Sequence, residues 1–124
     1  MPRPDISMSD REVEAFLATR STMVVAAVDA EGWPTGALAR AGFADGNLTL
    51  QVRADDPIVH HLEREGRLCA IADEHPSYYE IRGVIVHGKP AARGPRRSAG
   101  VVEVDVDRII SFDFGRLRAS QEGA

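Results

Sequence analysis

Residues 48–71, LTLQVRADDPIVHHLEREGRLCAI, change their hydrophobic period twice within 24 positions. Leu48, Leu50 and Val52 alternate with Thr49, Gln51 and Arg53, the period-2 pattern of a strand with one buried face. Asp56 before Pro57 is a helix start, because an aspartate can cap the first free N–H groups and proline suits the first helical position. Ile58, Val59 and Leu62 then mark the buried side of a helix over 57–65. RLCAIA at 67–72 is apolar again and reads as a strand. The unit is therefore strand, helix, strand.

Upstream, ADGN at 44–47 places an Asp-Gly step between apolar stretches, a strong hairpin signal. It joins the 48–53 strand to one over about 35–43. TMVVAAV at 22–28 is a continuous apolar run bounded by DAEGWP, which predicts a strand buried on both faces. Ser9 and Glu12 have the spacing of a capping box, and Val13, Phe16 and Leu17 share one face of a helix over about 9–20. Downstream, YYEIRGVIVHGKPAAR at 78–93 reads as one long strand, with Gly83 and Gly88 marking a bulge, a bend or a close approach. Between 101 and 114 the even positions Val102, Val104, Val106, Ile110, Phe112 and Phe114 form an expected inward row. Arg108 interrupts it, and a bend there would divide the run into two strands.

With no regular βαβ alternation, this order predicts a mainly β domain over 9–114: an antiparallel sheet curled into a barrel with two helices packed on it. Residues 1–8 and 115–124 are expected to be flexible ends. A chain of 124 residues is long enough for a real core without cross-links. The single Cys69 leaves no internal disulfide and suggests a reducing, cytoplasmic setting. The absence of an apolar run of about 18 residues argues against a membrane span, and the polar start MPRPDISMSDREVE against a signal peptide. A net charge of −4 argues against nucleic acid as a partner. The basic run RGPRR at 93–97, broken by Gly94 and Pro95, reads as an exposed loop.

No catalytic constellation emerges. Adjacent His60 and His61 project about 100 degrees apart on a helix, unlike the i, i+4 pair that binds one metal, so no metal site is expected unless His75 or His87 joins them. Asp55 and Asp56 belong to the helix start. No serine has a G-x-S-x-G context, Cys69 lies in an apolar strand, and Gly88-Lys89-Pro90 lacks the spacing of a phosphate loop.

The order of these pieces, above all LTLQVRADDPIVHHLEREGRLCAI and RGVIVHGKPA at 82–91, resembles the pyridoxamine 5′-phosphate oxidase-like, FMN-binding split-barrel family over residues 9–114. The resemblance implies a six-stranded split β-barrel that forms a homodimer, with FMN or the related deazaflavin coenzyme in a cleft between subunits. It implies an oxidoreductase that moves hydride to or from a small organic substrate, with the flavin ring doing the chemistry. It places Arg53, Ala54, Pro57 and the start of the 57–65 helix at the cofactor phosphate, with Arg40 and Arg82 as further cations and His60 and His61 beside them. Val52 and Ile58 stand where many flavin-binding members carry Thr and Lys, and Asp55 and Asp56 add negative charge. The alternatives are a non-catalytic binder of flavin, haem or another small ligand, for which His60, His61 and His87 are possible iron ligands, and a member that has lost its cofactor.

Overall fold

The computed structural model describes residues 3–78, 80–91 and 100–117. The basic run at 93–97, Tyr79 and the end of the chain beyond residue 117 lie outside them. Helix α1 (Asp10–Ala18) leads into β1 (Thr22–Val28), β2 (Pro34–Ala44) and β3 (Asn47–Gln51). Helix α2 (Pro57–Glu65) follows, then β4 (Leu68–Glu74), β5 (Arg82–Pro90) and β6 (Val101–Asp113). All strand pairs are antiparallel, and they close a barrel in the order β1-β2-β3-β6-β5-β4. The expected six-stranded antiparallel split barrel with two helices is the fold of the chain.

Local chemistry sets these elements. Ser9 accepts from the Glu12 N–H at 3.2 Å while Glu12 accepts from the Ser9 N–H at 3.1 Å, so the capping box forms. Asp45 and Gly46 both have positive φ, 53° and 78°, as a two-residue hairpin turn of the twist-matching kind requires. In the longer β1–β2 turn, Asp29 accepts from the N–H groups of Glu31 and Trp33, each at 2.9 Å.

The barrel is split because two strands change partners midway. β2 pairs with β1 from Pro34 to Arg40 and with β3 from Arg40 onward. β6 pairs with β3 up to Val104 and with β5 from Val104 onward. Helix α1 packs on β2, and α2 on β1 and β2. Their apolar faces, Val13, Phe16 and Leu17 on α1 and Ile58, Val59 and Leu62 on α2, join the inward residues of the strands in one core. At the chain's start, Asp113 N–H donates to the Ile6 carbonyl at 2.8 Å and Met8 N–H donates to Ser111 Oγ at 2.8 Å, so residues 6–8 run along the end of β6. Residues 115–117 form a helical turn whose Arg116 pairs with Glu12 and Asp113.

Two sequence expectations are corrected. β1 is buried on one face only: Met23, Val25 and Ala27 are buried while Val24 and Val28 are exposed. An antiparallel barrel supplies one inside, and Val24 and Val28 on the outer face stay exposed among the described residues. The inward row of β6 also does not keep to even positions. β6 is a single strand with Asp107 as an extra residue, because His87 faces Arg108 while Gly88 faces Val106. A one-residue bulge reverses the alternation beyond it. Ile109 and Ser111 therefore lie opposite inward Val86 and Val84, whereas Ile110 and Phe112 lie opposite outward Ile85 and Gly83.

Both strand glycines mark close approaches. A Cβ on Gly88 would sit 2.4 Å from the Asp105 carbonyl oxygen, and one on Gly83 would sit 2.4 Å from the tip of the Phe112 ring. Among the described residues no helix is long and apolar enough to cross a membrane.

Candidate functional site

The predicted phosphate corner is built where β3 ends. Val52, the last inward residue of that run, donates its N–H to the Gly100 carbonyl at 2.9 Å. Gly100 has φ +79°, and a Cβ there would lie 2.2 Å from the Val52 oxygen and 3.3 Å from the Ala54 nitrogen. Only glycine allows the backbone entering β6 to come this close. The chain then turns over Arg53 and Ala54, with the Asp56 N–H donating to the Arg53 carbonyl at 3.0 Å, and enters α2 at Pro57.

The corner answers most of its own charge. Asp56 caps α2, its side chain accepting from the Ile58 N–H at 2.9 Å, and the Val59 N–H donates to the Asp56 carbonyl at 3.1 Å. Pro57 has no N–H, so the donors that a helix start usually offers to an anion are already engaged. Arg53 pairs with Asp55 at 3.0 Å, but the two side chains are 82% and 72% exposed. A pair so open to water adds little stability, and Arg53 can leave it for a better partner. Arg40 lies directly opposite Gln51 on the outer face, at the point where β2 changes partners.

Arg53, Ala54 and Pro57 follow one another at the turn into α2, Arg40 lies across from Gln51 two residues before Arg53, and His60 stands exposed on the first turns of α2. His61 is half-buried behind it, with ring centroids 6.1 Å apart, and the His61 Nδ1 is buried with no hydrogen-bond partner. Arg82 lies elsewhere. It pairs with Glu74, which also binds Arg20 at 3.3 Å, and both guanidinium groups stack over the Phe16 ring at 5.1 and 5.5 Å. Arg82 therefore braces the barrel end beneath α1. His87 lies across from Cys69 and Arg108, three strands from β2. Among the described residues no group of three or more His, Cys, Asp or Glu side chains is arranged to hold a metal ion. Burial pushes the Cys69 thiol up from its ordinary value, which keeps it protonated and poorly nucleophilic.

The feature bordering this corner was not evident in the sequence. Strand register aligns Leu38, Val24, Ile71, Ile85 and Ile110 across five adjacent strands, all on the outer face. Leu38 is 70% exposed, Val24 and Ile71 are also exposed, and Trp33 at the β1–β2 turn is 67% exposed. Arg40 is the next outward residue on β2 after Leu38, so the cationic corner and the apolar row are contiguous. The available signal was the second apolar set within TMVVAAV and RLCAIA, which one-sided burial leaves on the surface.

No known family's sequence profile matches the chain, and no curated protein matches it. Solved structures do share its fold. The conserved hypothetical protein Rv2991 of Mycobacterium tuberculosis superposes with a TM-score of 0.78 at 21% identity, over 95% of this chain and 92% of that one. An FAD-binding protein from Mycobacterium smegmatis gives 0.70 at 15% identity, covering 86% and 94%. A protein named as a candidate pyridoxamine 5′-phosphate oxidase from Listeria innocua gives 0.65 at 12%, covering 81% and 95%. The chain therefore has a split-barrel fold that is also used by proteins named for flavin binding.

Proposed function

We propose that the protein binds a flavin, FMN or the deazaflavin coenzyme, at the corner formed by Arg53, Ala54, Pro57 and Arg40, and works as an oxidoreductase on a small organic substrate. The observation that carries this reading is the contiguity of that corner with the outward apolar row. A flavin has an anionic phosphate and a flat, largely apolar ring, and here a displaceable guanidinium lies beside a surface able to cover such a ring. The fold's use by an FAD-binding protein supports the same reading.

The residues fit the group in charge. Arg53 can exchange its exposed partner Asp55 for a phosphate through a bidentate contact, and Arg40 supplies a second cation from β2. Asp56 stays with the helix cap and contributes no binding. When bound, the isoalloxazine or deazaflavin ring supplies the hydride chemistry. This chain's residues hold the phosphate, keep water from one side of the ring through Leu38 and Val24, and orient the ring against the barrel. No side chain is required as acid or base.

A second copy of the chain completes the cleft by docking on the apolar row and covering the ring's other side. The competing reading, a barrel that has lost its cofactor, draws on the self-neutralised pairs Arg53–Asp55 and Asp56–helix start. Thermal unfolding with FMN, FAD and the deazaflavin coenzyme separates the two. A ligand at about 100 times its Kd stabilises the fold by roughly 2.7 kcal/mol, a readily measured rise for a domain this size. A shift with FMN or the deazaflavin is expected; no shift with any of the three overturns the proposal.

A further inference from the structure

At the opposite end of β3 from the flavin corner, the barrel leaves a gap. β6 loses β3 as a partner after Val104, and residues 6–8 rejoin its edge only at Ser111 and Asp113. Between these points no other strand lies against that edge among the described residues. The edge alternation can be followed through the bulge. The Gly100 carbonyl faces β3 and the Asp113 N–H faces Ile6, so even residues before Asp107 and odd residues after it turn their main-chain groups toward the gap. Val106 and Ile109 are the residues that do so inside it.

A cavity of about 260 Å³ occupies this gap. Met8, Val13, Phe43, Val106 and Ile109 give it an apolar floor. Ile109, turned inward by the Asp107 bulge, is nevertheless 40% exposed, because no described residue fills the space above it. The charged lining residues are Asp10 and Glu14 on successive turns of α1, and among the described residues the lining includes no basic side chain. Asp45 at the hairpin tip and Asp107 at the bulge adjoin the lining residues Gly46 and Val106 and carry the same sign.

We propose that this cavity is a binding site for a small organic cation, a primary amine carrying a compact apolar group. The space is open on one side and lined by both apolar and polar groups, so its apolar floor can take up one face of a phenyl or branched alkyl group. Asp10 and Glu14 at the rim receive the ammonium, which has three donors and a charge that the surrounding carboxylates favour. An anion of the same shape is repelled, and a neutral analogue gains only the apolar contact. The site shares no residue with the flavin corner, so it stands or falls independently of the flavin reading.

The probes are 2-phenylethylamine, 2-phenylethanol and phenylacetate, titrated against the full chain and followed by amide chemical shifts and fitted affinity. The amine is expected to move the amides of Gly46, Val106 and Ile109 and to bind at least about tenfold more tightly than the alcohol, as one charge-assisted contact provides. Phenylacetate should bind least. In the Asp10→Asn, Glu14→Gln double variant, amine affinity should fall to that of the alcohol while alcohol affinity stays unchanged. Ile109→Lys, which places an ammonium at an already exposed position, should abolish amine binding and keep the fold. Equal affinity for amine and alcohol, no binding by any probe, or shifts confined to other residues would each overturn the proposal.

Discussion

Arg53 and Gly88 show how differently single residues act in this barrel. Arg53 is held by one exposed aspartate, so replacing it disturbs little of the fold and tests binding cleanly. Gly88 is different, because a methyl group there meets main chain, the Asp105 carbonyl, which cannot swing aside. Gly88→Ala should destabilise the protein by about 1–3 kcal/mol, the usual range for overpacking. Gly83→Ala should cost less, since the group it meets is the tip of a Phe112 ring that can rotate away. Chemical denaturation of both variants checks the order, and equal losses would contradict it. The sequence marked both glycines as a bulge, a bend or a close approach. It could not separate them, because the identity of the neighbour depends on strands far away in the chain.

At the level of elements, the helix starts and hairpin turns were legible because their causes are local: Ser9 with Glu12, Asp56 with Pro57, Asp45 with Gly46. The continuous apolar run of β1 hid which of its two faces is the inner one, whereas the inner row of β3 was equally legible from spacing. The second half of β6 was not, since a bulge at Asp107 is set by its pairing with β5 and leaves the apolar pattern of Ile110 and Phe112 looking like a buried row. The same limit applied to Arg82, whose partners Glu74 and Phe16 come from two other elements, β4 and α1.

The link between α1 and the turn after β6 carries its own pH dependence. The Arg116 guanidinium, followed by the Ser9 N–H and hydroxyl, holds the Glu12 carboxyl down to about 2 from an ordinary 4.5. A depressed carboxylate stabilises the fold fully above its unfolded value and loses that contribution as pH falls toward its folded value. The melting temperature should therefore drop between about pH 4.5 and 2, and Glu12→Gln should flatten part of that drop. A profile unchanged by the substitution would show that the Arg116 link contributes nothing in solution.

For the whole molecule, the outward row Leu38, Val24, Ile71, Ile85 and Ile110 is an apolar surface that runs across five adjacent strands. Contiguous apolar surface of this kind marks an interaction site, and a twofold pair of chains would bury it on both sides at once. Ile71→Asp, at the middle of the row, would bury an unpaired charge in each half of such a dimer, at a cost of about 3–5 kcal/mol. Sedimentation should then show monomers with an intact barrel by circular dichroism, and an unchanged sedimentation coefficient would remove the row from the interface.

On the proposed flavin reading, the corner's position beside this row would tie cofactor and assembly together, and phosphate binding would rest on Arg53 more than on the helix start that Asp56 already occupies. Equilibrium titration of FMN by fluorescence quenching, with the wild-type chain and Arg53→Ala side by side, tests that claim most directly. The account predicts one flavin bound per chain and an affinity at least about tenfold lower for the variant, the worth of one charge-assisted contact. Equal affinities for the two proteins, or no binding by the wild type, would contradict it.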